Sequence, residues 1–223
     1  RSMRLVDLLY RTAVYVIRMY GGVGGEEPRG FPLSRLGCSR TDAMKEDDLV
    51  RWLEQDEAVS RPYRAGRLRL LLDEYGAEGI RLFHGGPVSA LAFEEARQAY
   101  LHGLFLASTI MSQVCVEHML AGLFRAAGRD DLERASFQRL LQEARDERIL
   151  SQEEFQTFDR LRQVRNPYSH PRAPASAGSL MRRAVTSDIP FDEFVLQDGT
   201  AAITALLRLC RRAPFCIGSG DDT

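Results

Sequence analysis

The stretch VRNPYSHP at residues 164–171 brings Arg165, Asn166 and His170 within six residues. A histidine with an ordinary pKa of about 6.5 moves a proton near neutral pH. An arginine fork neutralises the extra charge on a phosphorane. RNA carries its own nucleophile, the 2′-OH, so this trio suits phosphodiester cleavage without a metal-activated water. Tyr168 and Ser169 lie between them, as RNA contacts or as packing groups.

The surroundings add charge. Residues 160–187 contain no Asp or Glu but hold Arg160, Arg162, Arg165, Arg172, Arg182 and Arg183, a local charge of +6. The whole chain carries 30 basic and 31 acidic residues, a net charge of −1, so its overall balance selects no partner. Such a window fits a solvated face, and it also fits a phosphodiester-binding surface. Only Lys45 among the basic residues is a lysine. Genome composition accounts for that bias, and so does a preference for bidentate phosphate contacts.

Other chemistries lack a signature. His84, His102, His118 and His170 are scattered, with no His-Glu-x-x-His and no Cys-x-x-Cys, so no metal site and no cofactor is expected. No G-x-S-x-G marks a serine nucleophile. Cys38, Cys115, Cys210 and Cys216 show no paired spacing. They read as free thiols of a reducing, cytoplasmic protein. The glycine-rich run at 21–32 is not followed by Gly-Lys-Ser/Thr, so it reads as a connector and not a phosphate loop.

The elements that would position the trio are helices. Residues 3–20 read as an amphipathic helix broken by Asp7 and Arg11, not as a signal peptide. Residues 42–57 predict an acidic helix capped by Thr41 or Asp42, and 64–75 a second one. Ser89 to Ala127 forms one long helical pattern, bent near Gly103 and stopped by Gly128. Its charge-poor run, 99–116, is interrupted by polar residues and reads as a core helix, not a membrane span. A further helix spans 131–147. Ser151 and Glu154 make a capping box that starts the next one. Asn166 precedes Pro167, which predicts its end or a kink there. A loop covers 171–179 and a final helix 199–212, and FVLQ at 194–197 is the one strand candidate.

Geometry on that helix matters. Phe158, Leu161 and Arg165 share a face, which puts a long cation at the end of the core-facing stripe. Arg165 and His170 would stand about 140° apart on an unbroken helix, so a long stem or a kink must bring them together. His102, Thr109, Gln113 and Glu117 form a polar stripe through an otherwise apolar helix. Buried polar groups need partners. Hydrogen bonds within the bundle supply them, or Glu117 pairs with Arg165 and positions it.

Arg165-Asn166-Pro167-Tyr168-Ser169-His170 resembles the signature of the HEPN superfamily: an arginine, a polar residue, then a histidine four to six residues on. The context is similar too, a motif near a helix end after a long helix of the type YLHGLFLASTIMSQVCVEHML. The resemblance covers roughly residues 89–212. The helical pattern and this resemblance together predict an all-α fold with a compact helical bundle at 86–215, while the pattern alone predicts a smaller helical N-terminal extension of unknown role at 1–85 and a flexible tail at 216–223. The resemblance also implies a metal-independent endoribonuclease that leaves a 2′,3′-cyclic phosphate, of the kind found among toxins and antiviral defence effectors. The family's composite site implies a homodimer, and toxins imply an antitoxin or sensor partner. Arg165 and His170 would be the catalytic pair, with Asn166 orienting or binding. Arg162, Tyr168, Ser169, Arg172 and Glu117 would bind RNA or support the site. Some family toxins carry a tyrosine two residues after the histidine, where this chain has Arg172. The alternative is a catalytically inactive HEPN module that binds RNA, a nucleotide or a protein partner.

Overall fold

The structure, a computed structural model, describes residues 46–76, 80–170, 173, 176 and 178–217. The helix expected at 3–20, the connector at 21–32, the caps Thr41 and Asp42, Cys38, Arg172 and the last six residues, 218–223, lie outside the described residues. Those that are described form seven α-helices, one turn of 3₁₀-helix and one pair of two-residue strands. The fold is all-α. The chain divides into two compact units, 1–61 and 62–223.

Helix α1 (Glu46–Tyr75) opens on Glu46, Asp47 and Asp48, charges that suit the positive end of a helix dipole. The two helices expected at 42–57 and 64–75 are one, because it runs through Pro62. Proline's fixed φ near −65° is itself helical, and the lost hydrogen bond and the ring's clash with the carbonyl four residues back oppose the helix without always ending it. In the first unit, Leu49, Val50, Leu53 and Val59 of α1 are exposed.

The second unit is a helical bundle. Residues of α1 beyond Pro62 are part of it: Leu71 joins the core, and Glu74 accepts two hydrogen bonds from Arg208 at 2.8 and 2.9 Å. Helix α2 (Pro87–Leu101) and helix α3 (Phe105–Ala126) pack against each other. The single helix expected over 89–127 is therefore two. Gly103 has φ 78°, a left-handed conformation that costs glycine little. Its N–H donates to Tyr100 O and that of Leu104 donates to Ala99 O, which ends α2 in a Schellman motif. Helix α3 stops before Gly128, as its sequence predicts.

Helix α3 is the central element, packed by α2, α4 (Phe137–Asp146), α5 (Gln152–Ser169) and α7 (Phe191–Leu209). Its Cys115, Val116, Met119, Leu120 and Phe124 are completely buried, as are Ile203, Leu206 and Leu207 of α7. Each large apolar side chain buried in this way contributes about 1.5–3 kcal/mol. Cys115 and Cys210 belong to this core. Burial pushes the Cys210 thiol up to about 12 and raises that of Cys115 as well, so both remain neutral.

Two further expectations change. FVLQ is helical, because α7 starts at Phe191 with Asp192 and Glu193 in its first turn. Four alternating residues are too few to outweigh such a start. Between α5 and α7 lies helix α6 (Leu180–Ser187), which the sequence pattern did not suggest; Ser179 caps it by accepting from Arg182 N. Residues 216 and 217, expected to open a tail, lie in a strand instead. Strand β1 (Ile80–Arg81) pairs antiparallel with strand β2 (Cys216–Ile217), and Cys216 is buried. No helix among the described residues is long and apolar enough to cross a membrane.

Candidate functional site

Helix α5 carries the candidate residues at its C-terminal end. Its start is fixed by the capping box. Ser151 N–H donates to Glu154 Oε2 at 2.7 Å, and Glu154 N–H donates to Ser151 Oγ at 3.2 Å. Arg212 donates to both oxygens of Glu154 at 2.7 Å. Burial alone would raise the Glu154 carboxyl. The hydrogen bonds from Arg212 and Ser151 outweigh that and hold it below its ordinary range.

From this start the helix phases its apolar face into the core. Phe158 and Leu161 are buried. Arg165 stands one turn beyond Leu161 and is half-buried. Its Nε is buried and has no hydrogen-bond partner among the described residues. An unsatisfied buried donor costs about 1–3 kcal/mol, more when charged. Arg165 is thus the group in this stretch with unmet demand for an anionic acceptor.

The expected stop at Asn166 does not occur. Helix α5 continues through Pro167 to Ser169, and His170 closes it by donating its N–H to Asn166 O at 3.0 Å. His170 itself is extended (φ −130°, ψ 132°), and it is exposed. Asn166 and Tyr168 are half-buried. Ser169 is exposed and donates back to Arg165 O at 3.0 Å.

Tyr168 is held from inside. Its hydroxyl donates to Asp198 Oδ2 at 2.5 Å. Asp198, on α7, is only 6 % exposed. Arg183, on α6, donates to both its oxygens at 2.7 and 3.0 Å. The Arg183 guanidinium also stacks 4.5 Å over the Phe194 ring. Burial, then the neighbouring Asp198 carboxylate, push the Tyr168 phenol above its ordinary value, so it stays a donor. Next to Asp198, α7 and α3 touch at Gly199, where an added Cβ would lie 2.8 Å from Phe105 Cβ. Only glycine permits that approach.

The acid-free window is not acid-free in space. Asp198 neutralises Arg183, and Asp159 neutralises Arg162 through contacts of 2.9 and 2.8 Å. Arg162 is therefore engaged within its own helix. Glu117 is half-buried on α3, and among the described residues no ion pair or hydrogen bond joins it to Arg165. The rest of its polar stripe differs residue by residue. His102 is exposed at the end of α2, and Thr109 donates to Phe105 O at 2.9 Å. Gln113 Oε1 is buried and, among the described residues, has no partner. It lines an enclosed cavity of ≈ 10 Å³ with Thr109, Ser112, Phe158 and Leu161.

Asp198 and Arg183 are the residues the sequence left unconnected to the motif. A signal for Asp198 existed. Phe194, Asp198, Ala202 and Leu206 recur every four residues on the buried stripe of α7, and a carboxylate there demands a cation. Starting the helix at 199 hid it.

Residues 90–185 match the family model described as HEPN domain. No curated protein and no solved structure compared with the chain matches it. The matched stretch includes most of α2, all of α3, α4 and α5, and Arg165 to His170 in their helix-end context. This match and the all-α bundle assign residues 90–185 as a domain of the HEPN superfamily.

Proposed function

We propose that this chain is a metal-independent endoribonuclease. Arg165 carries the reading. It is a half-buried guanidinium whose Nε has no hydrogen-bond partner among the described residues, five residues before the exposed His170. In the proposed step the 2′-oxygen bonds to phosphorus as the phosphorus–5′-oxygen bond breaks. One base takes the 2′-OH proton, one acid gives a proton to the 5′-oxygen, and a 2′,3′-cyclic phosphate remains. Arg165 neutralises the charge that builds on the non-bridging oxygens. His170 moves a proton, an action worth about 10²–10⁴ in rate.

Base and acid are two groups, and the chain has one such histidine. Two copies of the chain facing each other supply both, so the active form is a homodimer with a composite site. Asn166 orients the substrate or the histidine. Ser169 and Arg172 flank the histidine as RNA contacts. Tyr168 supports the site, since its hydroxyl already serves Asp198. Activity of this kind suits a cytoplasmic toxin or antiviral defence effector restrained by an antitoxin or sensor.

The second reading is a HEPN module that binds RNA, a nucleotide or a protein without cutting. It draws on the internal neutralisation of Arg162 and Arg183, which leaves less positive charge for a phosphate backbone. One experiment separates the two. The purified protein is incubated with varied RNAs in EDTA beside Arg165→Ala and His170→Ala. Cleavage to cyclic-phosphate ends, lost in both variants, is the expected result. Binding without cleavage by the wild type would select the second reading.

A further inference from the structure

We propose that Asp198 is a positioning residue. Through Tyr168 and Arg183 it holds the last turn of α5 helical, and so fixes His170 relative to Arg165. The proposal rests on the nuclease reading for its catalytic consequence, but its structural content is independent of it. Asp198 lies outside the stretch that matches the family model, 90–185, so it is a feature of this chain beyond that match.

Local chemistry opposes the observed conformation. The residue before a proline avoids the α region, because the proline Cδ crowds its backbone. Pro167 also lacks the N–H that would bond the carbonyl of Gln163, and its ring presses on that carbonyl. These costs together favour leaving the helix at Asn166. It continues instead for Pro167, Tyr168 and Ser169, and His170 still donates to Asn166 O.

Something beyond Pro167 must hold that turn. Ser169 bonds only within the helix, to Arg165 O. Among the described residues, the one long-range hydrogen bond from 167–170 is that of Tyr168 to Asp198, 30 residues away. Asp198 is a stiff anchor. It is buried, gripped by both terminal nitrogens of Arg183, and Arg183 is itself fixed over Phe194. Three elements therefore meet at one carboxylate: α5 by Tyr168, α6 by Arg183 and α7 by Asp198. Loosening the contact frees Asn166 to turn extended. Arg165, anchored in the buried face before the proline, would stay, while His170 would move.

Tyr168→Phe is the primary test, since it removes one hydrogen bond and leaves the Asp198–Arg183 pair intact. Pro167→Ala in that background removes the local opposition to helix. Two measurements are made on the full chain. Backbone ¹³C shifts of residues 166–169 are expected to be helical in the wild type, to move towards coil values in Tyr168→Phe, and to return in the double variant. In RNA cleavage, Tyr168→Phe is expected to lower kcat at least about tenfold with little change in KM, as a misplaced catalytic group does, and Pro167→Ala is expected to restore it. Asp198→Asn, checked for folding by circular dichroism, should follow Tyr168→Phe. Helical shifts and wild-type kcat in Tyr168→Phe would overturn the proposal. If the wild type cuts no RNA while the shifts still move and recover, the nuclease reading falls and the brace stands.

Discussion

Helix α5 begins on contacts between residues three apart and ends on a contact between residues 30 apart. At Ser151 the backbone and side chains of one short segment satisfy each other, and Arg212 reinforces them from the turn that follows α7. At Ser169 the local sequence argues for a break, and a buried carboxylate on another helix overrides it. The first end would form in many contexts. The second exists only when α6 and α7 are in place. The candidate motif is thus attached to the end that depends on the rest of the bundle, which makes its geometry a property of the whole unit and not of six residues.

Breaking the distant contact should have the largest effect. Asp198→Ala leaves the partly buried Arg183 guanidinium without its partner and removes the acceptor of Tyr168. A loss of about 3–5 kcal/mol in denaturant unfolding is expected, the size typical of removing one member of a buried ion pair. At the other end, Glu154→Gln keeps a capping side chain but loses the charge facing Arg212. About 1.5–3 kcal/mol is expected from hydrogen bonds to a charged group. This variant also carries a pH signature. The Glu154 carboxyl is held below its ordinary value of 4.5, so its stabilisation is present above that value and lost as pH falls towards the depressed one. Melting curves taken across that window should show an acid-side loss in the wild type that is smaller in Glu154→Gln. Ser151→Ala should do least, about 1 kcal/mol, because it removes a single cap acceptor. If it cost as much as Asp198→Ala, the contrast between the two ends would collapse.

The same contrast explains what was legible in the sequence. The capping box, the Gly128 stop and the core stripe of Phe158 and Leu161 are decided by neighbours along the chain, and the structure has them where the pattern put them. The continuity of α1 through Pro62 and of α5 through Pro167 is not. The sequence predicts an end or kink before Pro167 and a gap between the helices at 42–57 and 64–75, where Pro62 lies, but a proline φ is compatible with helix and the outcome depends on packing. The charge window failed in a similar way. Residues 160–187 contain no acid, yet Asp159 lies one residue before the window and Asp198 eleven after it, and each cancels an arginine within it. Arg165 is half-buried, as its place one turn after Leu161 on the core-facing stripe predicts.

The turn at Gly103 bears on when this molecule becomes complete. It makes α2 and α3 a helical hairpin joined by residues 102–104, whose closure requires very little chain entropy and whose contacts are near in sequence. That hairpin can assemble as soon as both helices have been synthesised. The stretch from Arg165 to His170 emerges later, and Asp198 later still, 30 residues after Tyr168. A growing chain therefore displays its arginine and histidine before it owns the carboxylate that braces them, and the site takes its final shape only as the last helix docks.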